Sequence, residues 1–364
     1  MKFSCTQENL NRGLSIVSHV ATRNVSLPIL NNVLIQAEPG SIKLSATNLE
    51  IGVRCLLRGK VERAGRFTVN GKLFADYVAL LPKDRVDVSL DGTALHVTSP
   101  GSKTTIRGAS ADEFPVIPEV KRDHSMKVPG ADVKAAITRV IFAAAADEAR
   151  PEISGVLIQA RDKTLTLAAT DSYRLAEQRL DLPQAVGREA KVILPSRSLQ
   201  EVLRTLGDEP VELILEENQA LFAYDDVELT TRLIEGRYPD YAEIIPASHE
   251  TTLEVGRGEL INAVKQASLF CKHGVYDVTL ESDGEKKLVV RAANTQAGEH
   301  ETELTVKGTG GATSIVFNYR YLLDGLGAMP TDTVVLELGS SSSPGLLRSK
   351  GARGGLYLIM PIRQ

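Results

Sequence analysis

Phosphoryl-transfer chemistry with two metal ions needs clustered carboxylates, and the notable adjacent acidic pairs of the chain are Asp147-Glu148 and Asp225-Asp226. The second pair lies between the alternating runs Phe222-Ala223-Tyr224 and Val227-Glu228-Leu229, where a hairpin turn belongs. Acids in a polar connection solvate it, so both pairs read first as turns. Gly308-Thr309-Gly310-Gly311 has no following Lys-Ser or Lys-Thr and reads as a surface turn, not a phosphate cradle. The six histidines are scattered, and Ser172 beside Asp171 lacks both a GxSxG elbow and an evident base. Cys5, Cys55 and Cys271 are far apart and form no CxxC or metal-ligand cluster. Neither a metal site nor a cofactor is expected.

The elements that would position such residues repeat. Asn32-Val33-Leu34-Ile35-Gln36-Ala37, a turn, then Ile42 to Asn48 matches Ser154 to Ala160, a turn, then Leu165 to Asp171, at an offset of 123 residues. A weaker third copy ends at Asn294, again 123 beyond Asp171. The second halves match too: Phe67-Thr68-Val69-Asn70, Val192-Ile193-Leu194-Pro195 and Ile315-Val316-Phe317-Asn318 each run into a helical pattern. The units close on Phe114-Pro115, Tyr238-Pro239 and Met360-Pro361. A period of this length is domain-sized, so the chain reads as three copies of one fold, at 1–122, 126–247 and 250–364.

Each unit alternates helical and strand periods. Val133, Ile137, Val140, Ile141 and Ala144 recur at helical spacing, as do Leu199, Val202, Leu203 and Leu206, while Val211 to Leu215 and Val86 to Leu90 alternate as strands. The fold class is α+β: tandem domains, each with two helices on one face of antiparallel sheet. With 43% hydrophobic and 24% charged residues over 364 positions, the chain is an ordinary globular one. No run approaches the ~18 apolar residues of a membrane span, and a soluble, cytoplasmic protein without a membrane partner is expected.

The net charge of −4, taken alone, argues against a nucleic-acid ligand, but it is unevenly spread. The helical segments 7–20, 71–81, 131–145, 197–206, 259–272 and 319–329 hold nine basic and six acidic residues, a net +3, which leaves −7 for the rest. Aromatic residues are sparse there and Trp is absent, so a nucleic-acid contact would be to phosphates, without sequence readout.

Met1-Lys2-Phe3, Leu27-Pro28-Ile29-Leu30, Ala169 to Ala176 (ATDSYRLA), Gly236 to Tyr241 (GRYPDY) and Tyr357 to Arg363 (YLIMPIR) together resemble the bacterial DNA polymerase III β subunits, the sliding clamps, over essentially the whole chain. The resemblance implies a non-catalytic processivity factor: a head-to-tail homodimer closing into a six-domain ring around duplex DNA. It implies DNA-facing roles for Arg23, Arg197 and Arg204, and the helix tally adds Lys134, Arg139 and Lys265. It places Lys72, Thr104, Ile106, Leu269 and Phe270 at the dimer seam. It further implies a pocket for short peptides of the replicative polymerase subunit, the clamp loader and other clamp-binding-motif proteins. That pocket would be made by Ile153, Thr170, Ser172, Tyr173, Arg174, Leu175, Pro239, Ile244, Leu358, Ile359, Met360, Pro361, Ile362 and Arg363, with Ser342 and Pro344 at its edge. Departures from the family pattern fall at Asp147, Pro151, Glu152, Ser172, Glu243 and Gln364. The alternative is a DNA-modifying or nucleotide-processing enzyme using the acidic pairs.

Overall fold

A computed structural model describes residues 1–21, 26–147, 149–271 and 274–363. Its helices are α1 (Gln7–Val17), α2 (Gly71–Ala79), α3 (Gly130–Val140), α4 (Pro151–Ser154), α5 (Ser196–Thr205), α6 (Arg257–Ser268) and α7 (Tyr319–Ala328). Six of them fall two to a repeat, where the periodicity places them. Residues entering the helices cap them: Thr6, Asn70 and Asn318 accept from the amides of Asn9, Leu73 and Arg320 at 3.2, 2.9 and 2.9 Å. In α1 the stripe Leu10, Leu14 and Val17 is fully buried, and α1 lies so close to the sheet that a Cβ on Gly13 would stand 2.4 Å from Leu57 Cδ2.

Compact packing divides the chain into two units that follow the sheets, not the repeats. Unit 1 is Met1–Ala131 with Gln200–Leu233, and unit 2 is Asp132–Leu199 with Ile234–Gln364. Unit 1 is built on a 13-stranded sheet in which Val227–Arg232 of the second repeat pairs with Ile51–Leu57 of the first, Val227 opposite Cys55 and Thr231 opposite Ile51. Unit 2 makes the same kind of antiparallel joint in a 9-stranded sheet: Arg174–Asp181 pairs with Gly355–Ile359, Arg174 opposite Ile359 and Gln178 opposite Gly355. A 4-stranded sheet completes unit 2. The second repeat therefore contributes half its strands to each unit.

Two expectations are corrected. Lys307–Gly310 is a strand paired with Thr251–Glu254, not a surface turn; its glycines allow the approach, since a Cβ on Gly310 would lie 2.1 Å from the Glu250 carbonyl. The third helical segment stops at Val140, whose φ of −120° leaves the helical region, and Ile141–Ala143 continues as a single 3-10 turn. The short α4, opened by Pro151, has too few residues to show a period and was not anticipated. The Asp225-Asp226 hairpin turn is as expected: Tyr224 pairs with Val227 around it, and Asp225 takes a φ of 48°.

Candidate functional site

In unit 2 the segment Thr170 to Arg174 folds back on itself through its own side chains. Thr170 Oγ1 donates to the Arg174 carbonyl at 2.7 Å, and Asp171 Oδ1 accepts from the amides of Tyr173 and Arg174 at 2.9 and 3.1 Å. Ser172, at a φ of 80°, forms the exposed bend and accepts from Arg150 Nη2 at 2.9 Å. The twin segment in unit 1 makes the same turn, with Asn48 Oδ1 accepting from Glu50 and Ile51 at 3.0 and 2.8 Å. The turn thus belongs to the repeat, whereas its chemistry belongs to the second copy alone, where Arg174 stands in place of Ile51.

Arg174 engages partners with every nitrogen of its guanidinium. Its Nε donates to Asp171 Oδ2 at 2.9 Å, Nη1 to Asp324 Oδ2 at 2.5 Å and Nη2 to the Phe142 carbonyl at 2.8 Å. The guanidinium lies 4.5 Å from the Tyr321 ring centroid and 5.6 Å from that of Phe142. Beside it, Tyr357 is fully buried and donates to the Tyr321 carbonyl at 2.9 Å; a Cβ on Gly325 would collide with its ring at 2.2 Å. Burial pushes the Tyr357 hydroxyl well above the ordinary tyrosine range, so it stays a protonated donor.

The expected pocket residues gather around this turn. Ile153, Leu175 and Leu358 are buried in one cluster with Leu157, Tyr238 and Leu346, and Met360 packs on it half-buried. Thr170 and Ile359 are also buried, and with the cluster they would floor such a pocket. Tyr173 and Ile244 remain 64% and 45% exposed, and Pro239 is exposed. Met360 donates its amide to the Tyr173 carbonyl and Ile362 to that of Val316, each at 2.8 Å, which fixes Pro361 between them. Ser342 and Pro344 precede Gly345, which is opposite Ile359 in the sheet; Arg363 is exposed. Sequence reading missed Phe142, Tyr321 and Asp324, whose approach to Arg174 depends on the fold and leaves no local signal.

The expected phosphate contacts differ among themselves. Lys134, Arg197 and Lys265 are exposed on α3, α5 and α6. Arg139 is half-buried and donates to Gln178 Oε1 at 3.2 Å. Arg204 is exposed and also tied within unit 1: Nη1 and Nη2 donate to the Ser15 and Ile16 carbonyls at 3.0 and 2.8 Å and Nε to Glu201 at 3.0 Å. It thereby satisfies carbonyls at the end of α1. Arg23 lies outside the described residues.

The expected seam residues lie on both units. Lys72 is exposed and pairs with Asp76 at 2.9 Å, Leu269 is 76% exposed, and Phe270 stacks on His300 with centroids 5.5 Å apart. Thr104 is half-buried, and Ile106 is 5% exposed, so its side chain is core and only its backbone can serve a seam. That backbone is available. Among the described residues Ser102–Arg107 pairs on one side only, with Ala94–Ser99, because the strand Gly65–Asn70 reaches no further than Gly108. In unit 2 the eight-residue strand Gly298–Thr305 is a sheet edge.

The acidic pair Asp225-Asp226 faces a cation. Arg12 bonds to Asp225 and its Nη1 lies 3.8 Å from Asp226, and among the described residues no group of three His, Cys, Asp or Glu could hold a metal ion. Asp147 accepts from the Ala149 amide at 2.8 Å, while Glu148 lies outside the described residues. Burial pushes the Cys55 and Cys271 thiols up to about 11, far from nucleophilic readiness.

Comparison with known proteins gives a consistent result along the whole chain. The family models for the N-terminal, central and C-terminal domains of the DNA polymerase III beta subunit match residues 1–118, 127–240 and 242–363. A beta sliding clamp of Synechocystis is 31% identical, with 100% of this chain and 99% of the relative covered. The DNA polymerase sliding clamp of Bacillus subtilis superposes with a TM-score of 0.96 at 25% identity, covering 100% of this chain and 99% of that one. A sliding clamp of Pseudomonas aeruginosa bound to griselimycin also gives 0.96, at 27% identity and full coverage of both chains.

Proposed function

The chain belongs to the DNA polymerase III beta subunit family, the DNA sliding clamps, and from that membership we propose that two copies close head to tail into a ring of six domains around duplex DNA. The observation that carries this reading is the threefold repeat matched domain by domain over the full length. Each seam would join the open backbone edge Ser102–Arg107 of one copy to the edge Gly298–Thr305 of the other. Lys103 and Arg107 on the first and Glu299, Glu301 and Glu303 on the second give the pairing complementary charge. The charge of the helices suits a hole that meets phosphates, with Lys134, Arg197 and Lys265 as its contacts, and weak contacts allow sliding. The protein works in the cytoplasm and is a non-catalytic accessory subunit.

Partner proteins would dock a short peptide with apolar anchors on the Leu175, Leu358 and Met360 floor between Tyr173 and Ile244. Griselimycin is the probe: calorimetric titration of the intact protein should show saturable binding, and removing Met360 to Arg363 should weaken it at least about tenfold, a loss of about 1.4 kcal/mol. Undiminished binding by the truncated chain would remove the assignment.

The enzymatic alternative is not favoured, because the carboxylates of Asp225 and Asp226 meet the Arg12 guanidinium. Asp225→Asn with Asp226→Asn should leave primer extension by the holoenzyme within about twofold of wild type, as expected of a surface ion pair. Abolished extension by a folded variant would restore the enzyme.

A further inference from the structure

Pro239 and Ile244, the outer wall of the partner pocket proposed above, are not part of a sheet. They belong to the segment that links the second repeat to the third, where Tyr241–Ile244 makes only a 3-10 turn. Something must hold this segment in place. Tyr241 donates its hydroxyl to Glu177 Oε2 at 2.6 Å, and Glu177, 4% exposed, sits on the same strand as Arg174 and Leu175. Arg179 Nε donates to the other carboxylate oxygen at 2.8 Å, so both oxygens of this buried group are engaged. Tyr238 meets the Tyr241 ring edge to face at 6.4 Å and joins it to the pocket floor. Burial, with the hydrogen bond to Glu177, pushes the Tyr241 hydroxyl far above its usual range, so it remains a donor.

The repeat provides an internal comparison. Arg54, the position 123 residues before Glu177, donates from Nη2 to the carbonyl of Ile117 at 2.5 Å, and Ile117 follows Phe114-Pro115 as Tyr241 follows Tyr238-Pro239. Both linkers are therefore pinned from the same strand position. In unit 1 the pin reaches backbone, and Ile117 packs straight onto Gly52, where an added Cβ would meet its Cγ2 at 2.5 Å. In unit 2 the corresponding floor position is Leu175, and the pin is a side-chain pair.

We propose that Tyr241 and Glu177 form a latch that sets the width of the partner pocket, acting as positioning residues that do not themselves touch the bound peptide. The proposal rests on the reading of this pocket as the partner site. A carboxylate that has lost one donor is costly to keep buried, so breaking the latch releases the linker and moves Pro239 and Ile244 away from the floor.

The test uses griselimycin binding to the intact protein, with amide exchange at Tyr241 and Ile245 as a second readout. Tyr241→Phe should bind about tenfold more weakly and exchange faster at both amides. Glu177→Gln, which keeps an acceptor oxygen for Tyr241, should retain binding within about twofold. The double variant should be no weaker than Tyr241→Phe alone, because both changes act through one bond. Arg54→Gln, at the twin linker, should bind as wild type. Met360→Ala serves as the reference for the pocket itself. If Met360→Ala weakens binding while Tyr241→Phe binds and exchanges as wild type, the latch is overturned and the pocket stands. If Met360→Ala binds as wild type, the pocket assignment is overturned and the latch with it.

Discussion

Assembled on a nicked circular duplex and passed through a sizing column at moderate salt, the protein should travel with the DNA, and cutting the circle once should release it. The ratio of retained protein before and after cutting should be about 100 or more, the scale on which linkage outdoes contact. A ring threaded by DNA leaves a circle only by opening a seam, but it slides off an end. Contact-based binding predicts the opposite, since cutting removes no phosphate. The helices have few cations to spare for strong contact: Arg204 is tied to Glu201 and the end of α1, and Arg139 to Gln178. Low attraction favours sliding, and tethering keeps a bound polymerase near its template at high effective concentration. Persistence on linear DNA at the same salt would sink the topological reading. So would a mass of 39.3 kDa in solution at working concentration, since a single chain has no second copy for its open edges.

The second large effect is expected at Arg174. Replacing it by Ala strips donors from Asp171, Asp324 and the Phe142 carbonyl together and leaves the mostly buried Asp171, its side chain 14% exposed, without its cationic partner. Removing one partner of such a group costs about 3 kcal/mol. For a cooperative unit of this size that lowers the melting temperature by about 6 to 12 °C. Griselimycin binding should fall with it, because the turn from Thr170 to Arg174 forms one side of the floor. Arg174→Lys keeps the charge but not the planar fork, and should recover less than half of the loss. Scanning calorimetry decides: an Arg174→Ala variant that melts with wild type would show that the guanidinium network is dispensable.

How much of this was legible in the sequence follows from how local each signal is. The repeat, the six helices and the Asp225-Asp226 turn were readable because periodicity and turn chemistry are written within a few residues. The strand at Lys307–Gly310 was not, since its glycines look like a loop until Thr251–Glu254 is laid against them. Ile106 was placed at the seam by resemblance, yet its side chain faces the core and only its backbone edge is open. Arg174 and Asp171, three residues apart, could be paired on paper. Asp324, 150 residues away, could not, nor could Glu177 and Tyr241, 64 apart. These are buried polar pairings between distant segments, and hydrophobic patterning says nothing about which polar group meets which.

The joints at which strands of one repeat continue the sheet of the next have a consequence for how the chain unfolds. The second repeat surrenders Val211–Leu215, Gln219–Tyr224 and Val227–Arg232 to unit 1, and Gly155–Arg161, Thr164–Thr170 and Arg174–Asp181 to unit 2. Sequence repeats and compact units therefore do not coincide. The repeat is the unit of sequence, but the compact units cut across it, so the two halves of the middle repeat are expected to melt with different neighbours. Excised at its own boundaries, that repeat would expose two unpaired edges, Ile51–Leu57 and Gly355–Ile359 having gone, and would be prone to self-association. The threefold repeat of sequence is thus not a threefold repeat of sheets, since the middle copy has its strands in two of them.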